Sequence, residues 1–385
     1  MGPYENGRIR AISMMRPAAG LACLVLVAAS SAAQDEVYQS DKKYSFRLVG
    51  DALARQEWTW DIFVSPTQTR KEDRWRLQAR PRLEIGVGKL VLGVGGDFNY
   101  SKDENTKLAP GAFPLYRDNY DSRDARVDLA FASLKPASWL QVQGGRFVMP
   151  IAFTEMVWDR DLRAQGGAVT FAVRDRGAVR RLGVTGLWSR GSHVFNDAST
   201  TLFTTAADLD LRLGENTSLE VLAAWMDWSR ITTMDLRIRR QNTRVNGQFV
   251  FGYKVVDFVA RLRFGGTVPV QLVGDLCLNT EVDENRKGIW AAAVLGSLRT
   301  TVVRAEYVYA DVENDATQGA YGADDFLWTT GWKGHRLDLG GRLTDHVSLH
   351  LVGQLQQFYG SPRPAERDLW VKRARAELRF SFGPR

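Results

Sequence analysis

The residues in this chain most able to do chemistry are arginines set at every second position. Arg74, Arg76, Arg80 and Arg82 share one short segment, Arg373, Arg375 and Arg379 repeat the spacing near the C-terminus, and Arg47 lies near the N-terminus. A guanidinium stays charged in any aqueous setting and grips carboxylate or phosphate through paired N–H donors. Such a set attracts anions if its members share one face. A second cluster is Glu155, Trp158, Asp159, Arg160, Asp161 and Arg163. Both charge signs and an indole in one polar stretch suit a loop. The neighbouring Ile151, Phe153, Met156 and Val157 suit a segment packed on a wall. An exposed loop held by local ion pairs is the alternative.

Other chemistries find little support. Nucleophilic catalysis needs a nucleophile beside a base. His193, His335, His346 and His350 stand in no recognisable Ser or Asp constellation, so no enzyme is expected. No metal-ligand cluster appears, and a single Cys277 beyond the N-terminal region cannot build a cysteine zinc site or a disulfide. No metal and no cofactor are expected. Gly93-Val94-Gly95-Gly96 lies inside a strand-like segment and precedes no helix, so it is not a nucleotide loop. A formal charge of +7 on 385 residues could suit nucleic acid. Secretion and arginines on one strand face explain it better, and no nucleic-acid partner is expected.

The elements that must position these residues are strands. Between Arg74 and Ile85 the apolar Trp75, Leu77, Ala79, Leu83 and Ile85 alternate with the arginines. A period of two gives one oily and one wet face. The same alternation recurs at Leu90–Tyr100, Ala125–Phe131, Asp208–Leu213, Phe258–Phe264, Val303–Tyr309, Arg336–Leu343 and Arg373–Phe382, and no amphipathic helix longer than two turns stands out. Short connections fall near Gly86–Lys89, Lys135–Ser138, Arg176–Val179, Gly214–Thr217, Gly265–Pro269, Gly296–Arg299 and Thr344–His346. Long polar ones fall near Gln56–Asp73, Ser101–Ser122, Met149–Gly166, Arg190–Thr200, Ser229–Thr243, Asn279–Gly288, Val312–Gly334 and Gly360–Arg367. Seven short and eight long connections make sixteen strands. Gly167–Arg190 and a very long strand at Val245–Phe264 are where the count is weakest. Pro81 removes a ladder donor, so a kink or bulge that re-aims Arg80 and Arg82 is expected there.

Whether the oily face meets a core or lipid is decided by the rest of the chain. Arg8, Arg10 and Arg16, the apolar run Ala18–Ala29 and Ser31-Ala32-Ala33 read as a secretory signal peptide over 1–33, cut after Ala33. A lipoprotein anchored through Cys23 fits poorly, because the apolar run lies mostly after that residue. Cleavage removes three arginines and one glutamate and leaves +5. No later run is long and apolar enough for a spanning helix, but a spanning strand needs only about 9–11 residues. A soluble β-sandwich would be large at this length. It would not explain the regular short–long loop alternation. Nor would it explain aromatics near strand ends: Tyr44, Trp58, Trp60, Trp75, Tyr100, Trp139, Trp188, Trp225, Trp228, Tyr307, Tyr309 and Trp370. The expected fold is therefore all-β: a transmembrane antiparallel β-barrel of about 16 strands over 44–382, with short periplasmic turns and long extracellular loops. Residues 34–43 form a short periplasmic segment before it.

Gly144-Gly145-Arg146-Phe147, then Pro150, Trp158-Asp159-Arg160-Asp161 and Gly166-Gly167 resemble the Gly-Arg strand end, proline and Trp-Asp loop of Gram-negative porins, in particular the putative porin and phosphate-selective porin group. Leu378, Phe380 and Phe382 resemble the aromatic last strand by which outer-membrane barrels are recognised for assembly. The resemblance implies an outer-membrane, water-filled channel for passive diffusion of small hydrophilic solutes. It implies a third loop, Met149–Gly166, folded into the lumen as a constriction. It also implies contact with outer-membrane lipid and lipopolysaccharide, the barrel-assembly machinery as partner, and a homotrimer. By strand parity Arg47, Arg74, Arg76, Arg80, Arg82, Arg373, Arg375 and Arg379 line one basic strip, with Asp51, Glu84 and Glu377 among them. Modest anion preference follows unless loop carboxylates such as Asp159 and Asp161 neutralise the strip. The alternatives are a non-channel barrel acting as an adhesin or envelope-structural protein, and a substrate-specific channel for oxyanions or sugars.

Overall fold

Sixteen strands close into one antiparallel barrel in the computed structural model, which describes residues 44–65, 67–103, 123–191, 200–234, 241–322, 325–326, 329–360 and 369–383. The first half comprises β1 (Tyr44–Ser65), β2 (Gln68–Val87), β3 (Leu90–Asp103), β4 (Arg123–Ala137), β5 (Leu140–Val148), β6 (Arg163–Arg176), β7 (Val179–Arg190), β8 (Thr201–Arg212) and β9 (Thr217–Ser229). A two-stranded hairpin, β10 (Arg244–Val245) and β11 (Gln248–Phe249), stands apart in a loop. The barrel resumes with β12 (Tyr253–Phe264), β13 (Val270–Asn279), β14 (Lys287–Leu295), β15 (Val303–Val312), β16 (Trp332–Arg342), β17 (Val347–Phe358) and β18 (Trp370–Phe382). β9 pairs with β12 across the hairpin, and β1 closes on β18 from Gly50↔Phe382 to Trp60↔Lys372.

Closure satisfies every strand edge, which a sheet in hydrocarbon requires. The outer face carries Phe46, Val94, Val127, Leu182, Val184, Leu276 and Leu351, all large, apolar and exposed. In a membrane, lipid covers them. All seven short connections fall where the sequence places them, and Gly167–Arg190 resolves into β6 and β7 as expected.

Four local expectations are corrected. The long connection expected at Gln56–Asp73 is absent, because β1 runs to Ser65 and β2 begins at Gln68. Its polar residues belong to an inner face: Glu57 and Thr59 are buried inside, while Trp58 and Trp60 alternate outward. The strand expected from Val245 begins at Tyr253. The preceding residues make the small β10–β11 hairpin, whose Asn246-Gly247 corner takes positive φ at both positions, as a two-residue turn of this kind demands. At β3–β4 the register shifts between Gly95 and Gly96, so Asp128 bulges. Parity reverses there, which sends Leu129 and Phe131 inward while Val127 stays exposed. No bulge forms at Pro81. Its register with β1 runs unbroken through Gly50, and toward β3 the pairing lapses at Arg80 and Pro81 without a shift. A Cβ at Gly50 would run into the Arg80 carbonyl oxygen, so glycine lets the neighbouring strand close up at this point.

Candidate functional site: the lumen and its two inward loops

Strand parity sends one set of side chains into the lumen, and these differ sharply around the wall. On β1, β2, β16 and β18 they are largely arginines and carboxylates, and on β17 they include His350, Gln354 and Gln356. On β9 and β12 to β15 they are largely apolar: Leu222, Met226, Trp228, Val255, Val259, Cys277, Trp290, Val308, Ala310 and Val312, all buried. Two loops fill the space between. Loop 149–162 joins β5 to β6, and loop 313–331 joins β15 to β16.

The loops dock on the apolar wall. Met156, Val157, Trp158 and Leu162 from the first, and Ala316, Ala320, Tyr321 and Phe326 from the second, join the wall residues in one buried cluster. Trp158 stacks on Tyr321 at 5.5 Å and on Trp228 at 6.4 Å, and Phe326 stacks on Trp332 at 4.6 Å. The Asp159 N–H donates to the Tyr321 carbonyl at 2.7 Å, which ties the loops to each other. Asn242, from the loop before β12, donates to the carbonyls of Asn314 and Thr317. The sequence leads us to expect Ile151, Phe153, Met156 and Val157 to pack on a wall, but not that the wall is itself apolar or that a second loop joins it. The signals of both were the inward-parity Val255, Val259, Val308 and Ala310, and the apolar residues in loop 313–331. Trp228, expected near the membrane interface, belongs to this cluster, whereas Trp139, Trp188 and Tyr307 are exposed on the outer face.

The predicted arginines stand on the opposite wall, each near carboxylates. Arg47 and Arg82 both reach Glu84, at 2.7 and 3.0 Å. Arg80 pairs with Asp51 at 2.8 Å and with Asp161 of loop 149–162. Arg74 and Arg373 lie 3.8 and 3.5 Å from Glu57, and Arg76 is buried beside them. Arg379 bonds Glu377 at 2.6 Å and Asp338 at 3.2 Å. Arg375 reaches Asp325 of loop 313–331 at 2.9 Å and Glu377 at 3.3 Å. The sequence reading missed Arg55, which bonds Glu377 at 2.8 Å and Asp325 at 3.2 Å. It also missed Glu57 and Asp325 themselves. Parity extended past Gln56 would have found Glu57; nothing short of the fold would have found Asp325.

The remaining predicted loop residues divide. Glu155 bonds Arg336 at 2.8 Å and pairs with the exposed Arg160. Asp159 is buried and accepts from the Asp161 N–H at 2.8 Å, so it shapes the loop. Arg163 turns back onto the bulged Asp128 at 2.9 Å. Burial disfavours charge on Asp161, but Arg80 outweighs it and holds the pKa down at about 2. Burial is likewise overcome at Asp325, where Arg375 and Arg55 push the carboxyl well below its ordinary range.

The barrel encloses two loops packed on its inner wall, and the family described as Putative porin matches residues 51–250. The chain belongs to that family. Two solved structures share its architecture. One is OmpF of Salmonella typhi in complex with daunomycin, at 15% identity and a TM-score of 0.51, covering 88% of this chain and 97% of that one. The other is OprB of Pseudomonas putida at high pH, at 10% identity and a TM-score of 0.54, covering 89% and 94%. At such identities the likeness speaks for the fold. No curated protein matches the chain.

A porin is a channel and not an enzyme, yet one expectation about its histidines needs correction. His350 does sit between a serine and an aspartate: its Nε2 lies 3.1 Å from Ser348 Oγ and its Nδ1 2.7 Å from Asp338 Oδ1. Its ring occupies the space that Gly340 leaves open. The other Asp338 oxygen serves Arg379. Ser348 lies in a ladder paired on both sides, with Arg342 and Arg379, which occupies the strand N–H groups an oxyanion would need. In this porin the chain of bonds knits the wall together. His335 faces outward beside Tyr307, His346 lies in a short turn, and His193 is outside the described residues.

Proposed function

We propose that the protein is a diffusion porin for small hydrophilic solutes, with a narrow passage running between the arginine wall and the two inward loops. The carrying observation is the set of wall-to-loop ion pairs, Arg80 with Asp161 and Arg375 with Asp325. Charges of both signs facing one another across a narrow gap keep it hydrated and favour polar solutes over apolar ones. The water-exposed members are led by Arg160 and Arg47, at 67% and 52% of the side chain, against 47% for Asp51, 29% for Asp325 and 23% for Asp161. The reading is therefore a weak anion preference. The arginines are too closely matched by carboxylates for a strong one.

Residues 1–33 serve as the export signal, cut after Ala33, and 34–43 stay in the periplasm ahead of β1. The apolar outer face meets lipid and lipopolysaccharide, the assembly machinery inserts the barrel, and the working unit is a homotrimer. The buried apolar cluster favours one rival, a closed barrel whose long loops bind a partner. Purified protein in planar bilayers separates the two. Discrete conductance steps with a reversal potential slightly on the anion side support the porin. A folded protein without steps supports the closed barrel, and clear cation preference overturns the selectivity assigned here.

A further inference from the structure

Asp325 and Phe326 are adjacent and do opposite things. Phe326 anchors loop 313–331 in the apolar cluster between Trp290 and Trp332. Asp325 points to the arginine wall, where one carboxylate oxygen meets Arg375 at 2.9 Å and Arg55 at 3.2 Å. Its own carbonyl oxygen accepts from Gln354 at 2.9 Å, Arg373 at 3.3 Å and Arg375 at 3.4 Å. This is a formed site for an oxyanion, with guanidinium donors converging on one carboxylate.

The carboxylates around these arginines are not equivalent. Glu57 and Glu377 belong to wall strands and are almost wholly buried, at 5% and 0%. Asp325 is carried on a loop and keeps 29% of its side chain in contact with solvent, over Arg55 at 8% and Arg375 at 2%. It is the one carboxylate that can leave without unfolding the wall. Its departure takes one carboxylate partner from Arg55 and Arg375, and the Glu377 that they also reach is shared with Arg379. Buried cations short of a partner recruit an anion from water.

We propose that Arg55, Arg373 and Arg375 form a binding site for small carboxylate solutes on the passage wall, and that Asp325 is its built-in occupant. The site rests on the porin reading and deepens it. The loop carboxylate holds a site that would otherwise retain permeating anions, and a carboxylate solute competes with it.

Acetate reproduces the Asp325 side chain beyond its α-carbon, and so is the probe. Wild-type protein, Asp325→Asn and Asp325→Ala are compared in planar bilayers, with heat-modifiable migration as the check on barrel folding. The expected result is a several-fold shift of the chloride-to-potassium permeability ratio toward chloride in both variants. Millimolar acetate then reduces the chloride current of Asp325→Ala saturably, needs a several-fold higher concentration to do so in the wild type, and loses its effect when Arg375→Gln is added. Conducting variants with an unchanged permeability ratio overturn the proposal. A shifted ratio without saturable block overturns the binding site. Wild-type protein that gives no steps overturns the porin reading itself, and the site falls with it.

Discussion

The two sides of the lumen obey the same strand parity and end in opposite physical states. On β9 and β12 to β15 most inward residues are apolar and dry, and they bind the loops by stacking and close packing, although Asp257, Asp275 and Arg261 are buried among them. On β1, β2, β16 and β18 they include guanidinium and carboxylate groups held by charge, several with a face still open to water. Each loop belongs to both sides. Trp158 and Phe326 enter the dry side, while Asp161 and Asp325 reach the charged side. The dry side sets where the loops sit, and the charged side sets what they face. The two functions should separate by mutation.

The largest effect is expected on the dry side. Trp158→Ala removes a buried indole that stacks on two aromatic neighbours, a change that costs about 3–5 kcal/mol in a packed interior. A freed loop 149–162 widens the passage, so the step conductance should rise with little change in ion preference. Unchanged conductance in a folded variant would break the comparison, since the apolar cluster would then not be what positions the loop.

A smaller effect is expected at the loop's root, where the two sides meet. Gly145 sits at φ 107, and a Cβ there would strike the Ala130 carbonyl oxygen; across the ladder, a Cβ at Gly166 would strike that of Trp188. Gly145→Ala should cost about 1–3 kcal/mol of backbone strain. It should lower the temperature at which the folded band is lost on electrophoresis and leave the permeability ratio as it was. A shifted ratio would mean that the root also sets the charge the passage presents.

What was readable beforehand follows the same division. Strand number, short turns and the inward arginines depend on local alternation, which is written in consecutive residues. Asp325 faces Arg375 only because the barrel closes and loop 313–331 folds into it, so no spacing in the chain announces the pair. Glu57 was legible in principle. Polar residues that line a wet lumen look like loop, and the outward Trp58 and Trp60 were the sign that the strand continued. The Asn246-Gly247 corner was legible too, as a hairpin signal set inside what reads as one long strand.

The smallest effect is the finest test of the charged side. Asp161 is negative whenever pH exceeds its pKa of about 2, because Arg80 favours the ionised form more than burial disfavours it. A depressed pKa means the charge, and the hold it gives on Arg80, is present at neutral pH and lost only as pH falls through that value. Asp161→Asn imposes the neutral state at every pH. The reversal potentials of wild-type protein and this variant should therefore differ by a constant amount from pH 7 to about pH 4. They should then converge as pH approaches 2, since other titrating groups affect both proteins alike. Convergence near pH 5 would place Asp161 in an environment without an effective arginine partner. The loop would then meet the charged wall through Asp325 and not through Asp161.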